Sequence, residues 1–229
     1  MTAVAGVTPL TLTRRAFSAF MSMTGFAALT GLPLWRMIGS AAAQSQTAAD
    51  VAKPSPLGDM ILGSPTATVT IVEYASMTCP HCAAFTINVF PKLKTEYIDT
   101  GKVKFIFREY PLDLKAAAGS MLARCIGKSD SGKFFAVIEL LFRQQSDWVL
   151  TKTADALKRI GRQAGLGDAD VDACLKDQKL LDGIQATQEY ASTTLKVNST
   201  PSFFINGTLV KGETSIEAFE NLINPLLKA

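Results

Sequence analysis

Two thiols and the chain's one imidazole lie within four residues, Cys79-Pro80-His81-Cys82. Cysteines spaced C-x-x-C can cycle between dithiol and disulfide, and the attacking species is the thiolate. At the start of a helix, unpaired N–H groups and the macrodipole favour an anion, so Cys79 is expected to have a lowered pKa. His81 can add a cation or a donor near that sulfur. Pro80 suits the first helical position, where its missing N–H costs nothing. Cys82, one turn inside, suits the resolving thiol. Other chemistries fit less well. Zinc needs more ligands, and the sequence has no second C-x-x-C and no other histidine. Covalent haem needs C-x-x-C-H, but residue 83 is alanine. A purely structural short-loop disulfide is the remaining alternative.

The elements around the motif supply such a helix start. Residues 68–75 (T-V-T-I-V-E-Y-A) form a short β-branched run, expected as a strand buried on both faces. Residues 82–98 read as a helix kinked at Pro91, and 102–108 (K-V-K-F-I-F-R) as a second strand. Strand, helix, strand predicts a βαβ unit with parallel strands. Residues 113–197 carry five helical patterns, over 114–126, 132–145, 153–163, 169–175 and 180–197. A hairpin follows, 202–205 and 208–211, turned by Asn206-Gly207. Ser215 caps a last helix with Phe219, Leu222, Ile223 and Leu226 along one side. Phe134, Phe135 and Trp148 are expected in the core.

The first 43 residues read as an export signal. Arg14 and Arg15 precede a soft apolar run, and Ala41-Ala42-Ala43 offers a cleavage site. The stretch T-R-R-A-F also resembles a twin-arginine signal, although Ala19 stands where lysine is usual; an uncleaved membrane anchor is the alternative. The signal holds three arginines and no acid, so its removal takes the net charge from +3 to zero. Without a basic run, nucleic acid is not an expected partner. Residues 44–58 are small and polar, and are expected to be a flexible lead-in. Four cysteines in an exported chain allow three connectivities. Cys79 and Cys82 are close in sequence, Cys125 and Cys174 are far apart, so the two pairs should do different jobs.

The segment V-E-Y-A-S-M-T-C-P-H-C, the helical insertion and T-P-S-F-F-I-N-G together resemble the DsbA group of thiol:disulfide oxidoreductases, over nearly all of residues 60–229. The resemblance implies an α/β thioredoxin fold, a central mixed sheet flanked by helices, in parts 59–112 and 198–229 around an all-helical insertion, 113–197. It implies that Thr200-Pro201 holds a cis-proline facing the cysteines and contacting substrate. It implies that Glu73 is a buried acid exchanging the proton of Cys82, and that Cys125 and Cys174 form the second disulfide of some alphaproteobacterial members. Neither cofactor nor metal is expected. The implied activity is a periplasmic, monomeric oxidase that acts on reduced exported proteins and is reoxidised by a quinone-coupled membrane oxidase. Thr200 leaves an isomerase or reductase open, since many isomerases of the family carry threonine there; the dimerising N-terminal domain of such isomerases is not expected ahead of the first strand. A copper or zinc carrier using Cys79, His81 and Cys82 is the non-catalytic alternative.

Overall fold

The computed structural model describes residues 48–212 and 215–228. The export signal expected over 1–43 and the start of the lead-in, 44–47, lie outside the described residues. Five strands make one mixed sheet in the order β1-β3-β2-β4-β5. They are β1 (Met60–Leu62), β2 (Val69–Ala75), β3 (Val103–Glu109), β4 (Ser202–Ile205) and β5 (Thr208–Lys211). The β2/β3 pair is parallel and in register from Val69↔Val103 to Ala75↔Glu109; β1, β4 and β5 join antiparallel. Asn206 and Gly207, both at positive φ, turn the β4–β5 hairpin. This is the mixed α/β sheet expected of a thioredoxin fold.

Alternating side chains give the two central strands two apolar faces. On one face Ile71, Phe105 and Phe203 pack against α2 (Pro80–Asn88) and α10 (Ile216–Leu226). The rings of Phe85, Phe203 and Phe219 meet at centroid distances of 4.7–5.6 Å and fix α2 to the sheet. On the other face Val72, Tyr74, Ile106 and Phe204 pack with Val51, Ala191 and Val197.

The crossover helix differs from the expected single kinked helix over 82–98. It begins at Pro80, stops at Asn88, and resumes as α3 (Phe90–Leu93) and a π-helical segment (Lys94–Ile98). Pro91 has no N–H for the carbonyl four residues back, and its ring crowds that carbonyl, so the break falls before the proline. Between β3 and β4 run α4 (Leu114–Gly127), α5 (Ser131–Arg143), α6 (Gln145–Val149), α7 (Thr153–Gln163), α8 (Asp168–Cys174) and α9 (Gln178–Thr193). The helix expected over 132–145 is α5, and the short α6 that follows it was not expected. In α10 Phe219 and Ile223 are buried, whereas Leu222 is exposed.

The lead-in is a correction. Residues 48–52 form a short helix, α1, and Val51 and Ser55 are buried. The cause is two buried guanidinium groups that need acceptors. Arg108 donates to both Asp59 oxygens, to the Val51 and Lys53 carbonyls and to the Tyr74 hydroxyl, at 2.8–3.0 Å. That employs all five of its N–H donors. Arg124 donates to both Glu109 oxygens and to the carbonyls of Leu57 and Gly58. A polar stretch is ordered here by its backbone oxygens, because burying a charge unpaired is costly. Among the described residues no helix is long and apolar enough to cross a membrane.

Candidate functional site

Strand β2 ends at Ala75, and four residues later Cys79 stands as the N-cap of α2 with Pro80 at the first helical position. The connecting loop is held by the helical insertion at two points. The Thr78 hydroxyl donates to Asp113 Oδ2 at 2.8 Å. The Gln145 side-chain amide donates to the carbonyls of Met77 and Cys79, each at 2.9 Å. Neither Asp113 nor Gln145 stood out in the sequence. Asp113 carried a readable signal as the cap of α4, since its Oδ1 accepts from the Ala116 N–H. Nothing local marks Gln145.

Cys79 and Cys82 are both buried, reduced thiols. The Cys79 pKa is lowered from 9.0 to about 5, chiefly by a hydrogen bond from the Cys82 thiol. Burial opposes this, while the Thr200 hydroxyl and the backbone N–H groups of Cys82 and His81 add to it. At position 81, then, the backbone contributes to the shift; the histidine itself is exposed. Burial, reinforced by the same hydrogen bond and by the charges of Glu73 and Cys79, pushes the Cys82 thiol far up. The pair shares one proton, held on Cys82.

The Thr200–Pro201 peptide is cis and lies against the sulfur. As a thiol, Cys79 donates to the Thr200 carbonyl at 3.3 Å. A thiolate cannot donate, and the Thr200 hydroxyl, buried and otherwise without a partner, then becomes the useful contact.

Glu73 sits in mid-strand between Phe107 of β3 and Phe203 of β4, and is 2 % exposed. Its Oε1 has no hydrogen-bond partner. Burial, and then the negative charge of Cys79, raise its pKa well above the ordinary glutamate value. A carboxyl whose neutral form is favoured, beside a thiol that must gain and lose a proton, can exchange with it.

Cys125 and Cys174 form a disulfide between α4 and α8, with Cα atoms 6.2 Å apart, separate from the C-x-x-C. Among the described residues no three His, Cys, Asp or Glu side chains are grouped to hold a metal.

The chain matches the family described as Thioredoxin over residues 55–225. Among solved structures it is similar to alpha-DsbA1 of Wolbachia pipientis: 32 % identity, 79 % of this chain and 96 % of that one covered, TM-score 0.72. A Rickettsia bellii protein provisionally named a protein-disulfide oxidoreductase is 37 % identical over 150 residues, 65 % of this chain and 57 % of that protein. Disulfide bond formation protein D of Bacillus subtilis is 28 % identical over 187 residues, 77 % of this chain and 80 % of that protein. The chain spans 55–61 % of the length of the Rickettsia relatives it matches. It belongs to the thioredoxin family, in its DsbA-like group.

Proposed function

We propose that the chain is an exported thiol:disulfide oxidase that passes the Cys79–Cys82 disulfide to reduced proteins. A substrate thiolate attacks Cys79 Sγ, the Cys79–Cys82 bond breaks, and Cys82 departs and takes the proton of Glu73. A second substrate thiolate attacks the substrate sulfur of this mixed disulfide, and Cys79 leaves as a thiolate. The substrate gains a disulfide, and its two electrons remain on the Cys79/Cys82 dithiol. Thr200 and Pro201 flank the approach to Cys79 and contact the incoming chain.

The observation that carries this reading is the place of Cys79, at the N-cap of α2 and against the cis Thr200–Pro201 peptide, where its pKa is lowered to about 5. Stabilising the thiolate stabilises the reduced enzyme, which makes its disulfide a stronger oxidant and Cys79 a better leaving group. The protein works in the periplasm as a monomer, its export signal lies within residues 1–43, and a quinone-coupled membrane oxidase restores the disulfide. Equilibration with glutathione tests the reading. The expected potential lies well above thioredoxin's, which is about −270 mV; a value at or below it overturns the oxidase.

An isomerase or reductase is the second reading, and it rests on the residue type at Thr200, since many isomerases of the family carry threonine before the cis-proline. Light scattering separates the two, since a dimer that reshuffles wrong disulfides faster than it makes new ones would replace the oxidase.

A further inference from the structure

The short helix α6 sets one side chain on the redox loop. Gln145, its first residue, is half-buried, and its amide nitrogen donates to the Met77 and Cys79 carbonyls, each at 2.9 Å. A side-chain amide nitrogen has two N–H donors, so both are used. The same contact fixes the orientation of the amide, because the opposite one would set an oxygen against two carbonyl oxygens. The helix is itself anchored. Trp148 is fully buried and donates its indole N–H to the Leu141 carbonyl at 2.8 Å. Gly119 of α4 lies against it, where a Cβ would come within 3.1 Å of the Trp148 ring and 3.2 Å of the Met77 side chain. Met77 and α6 thus rest on one spot of the insertion.

The two carbonyls belong to a turn that serves both sulfurs. The Cys79 N–H closes this turn on the Ser76 carbonyl at 3.1 Å. The Ser76 N–H, at its entry, hydrogen-bonds Cys82, and just past its exit the N–H groups of His81 and Cys82 hydrogen-bond Cys79. The peptide between Cys79 and Pro80 has no N–H, so its carbonyl is its one hydrogen-bonding group. That carbonyl accepts from the Ala83 N–H at 3.2 Å and from Gln145. The Met77 carbonyl has no other hydrogen bond among the described residues. A carbonyl oxygen is the negative end of its peptide, and one turned toward a thiolate opposes the charge.

We propose that Gln145 is a positioning residue for the redox pair: it draws the Met77 and Cys79 carbonyls onto its amide and holds the turn so that the backbone N–H groups face the sulfurs. It acts through the backbone of residues 76–79. The two oxidation states feel it differently. The dithiol form carries the Cys79 charge and the disulfide carries none, so the tie stabilises the reduced protein more than the oxidised one. The disulfide is thereby a stronger oxidant. The inference rests on the oxidase reading for the use made of that potential.

The test compares full-length Gln145→Met with wild type and with Gln144→Ala. Methionine keeps the length and loses both donors. Gln144 is the neighbouring residue, and its amide bonds Gln163 instead, at 2.9 Å. Gln145→Met is expected to raise the Cys79 pKa by about 0.5–1, read from the ultraviolet absorbance of the thiolate. Its glutathione equilibrium should shift roughly threefold to tenfold toward the disulfide, tenfold being about 30 mV. In urea the reduced variant should lose more stability than the oxidised one. Gln145→Asn, which withdraws the amide by one methylene, should move all three readouts in the same direction. Gln144→Ala should match wild type in titration and potential. An equal loss of stability in both oxidation states, with titration and potential unchanged, makes Gln145 an ordinary brace and overturns the proposal. So does an equal shift in Gln144→Ala. If Gln145→Met does not fold, Gln145→Asn decides on the same terms. The wild-type potential tests the oxidase reading, and the difference between variants tests this one, so either can fail alone.

Discussion

Asp113 holds two elements with one carboxylate. Its Oδ2 accepts from the Thr78 hydroxyl at 2.8 Å, next to Cys79, and its Oδ1 caps α4 at the Ala116 N–H, also at 2.8 Å. The redox loop and the first helix of the insertion are thereby tied to a common anchor. Asp113→Ala removes both bonds. It is expected to lower stability by about 1–2 kcal/mol, as for other lost N-caps, measured by urea unfolding of the oxidised protein. Thr78→Val, which leaves the cap in place, should cost less; an equal cost would mean that the cap is not the main contribution.

The disulfide between Cys125 and Cys174 closes a sequence separation of 49 residues within the insertion. The chain-entropy model gives roughly 4 kcal/mol for a loop of that length. Replacing both cysteines with serine should lower the melting temperature and leave the thiolate titration of Cys79 in place. Identical melting curves before and after replacement would deny this bond a part in stability.

Glu73 should cost stability in return for its chemistry. Its folded pKa is raised, so its neutral form fits the fold; the stability this form confers is intact below the unfolded pKa of about 4.3 and is lost as pH rises toward the folded value. Glu73→Leu removes the buried, unpartnered oxygen and should stabilise the protein by about 1–3 kcal/mol at neutral pH. The gain should be larger at about pH 8 than at about pH 5, read from denaturation curves in matched buffers. Disulfide exchange should slow by about 10²-fold. A variant that is both less stable and fully active would refute the assignment.

Cys79 has the opposite sign. Its folded pKa is depressed, so the thiolate adds stability to the reduced protein above the unfolded cysteine value of about 8.5. That stability is lost as pH falls through the folded value of about 5. The excess stability of reduced over oxidised protein should therefore shrink from about pH 8 down to about pH 5 and level off below, measured by unfolding both forms in parallel. Thr200→Val deletes the hydroxyl that serves the thiolate and should raise the Cys79 pKa, seen in the ultraviolet absorbance of the thiolate. A gap that does not vary with pH would mean that Cys79 is an ordinary thiol.

Much of this site was legible because its signals are local. A β-branched run, a C-x-x-C with proline at a helix start, and Asn206-Gly207 between short apolar runs each specify their own backbone. Glu73 was legible as an oddity, an acid in an apolar strand. The lead-in was misread because its contribution comes from the carbonyls of Val51, Lys53, Leu57 and Gly58, and a carbonyl has no letter in the sequence. Arg108 and Arg124 lie inside a strand run and a helical pattern without marking themselves, since a buried cation looks like an exposed one until its acceptors, some of them more than fifty residues away, are in place. The break at Val89 needs the effect of Pro91 to be counted backward by two residues.

Those two arginines set a boundary for anyone shortening this chain. A version trimmed to Met60 keeps all five strands, both reactive sulfurs and the whole insertion, and looks complete on a diagram. It would nevertheless strip Arg108 of Asp59 and two carbonyls and Arg124 of two more. Orphaning a buried charge costs about 3–5 kcal/mol, a large share of what holds a small domain together. Purification tags and fusion partners therefore belong upstream of Ala48, and library mutagenesis that treats residues 48–59 as a dispensable tail should recover few folded clones.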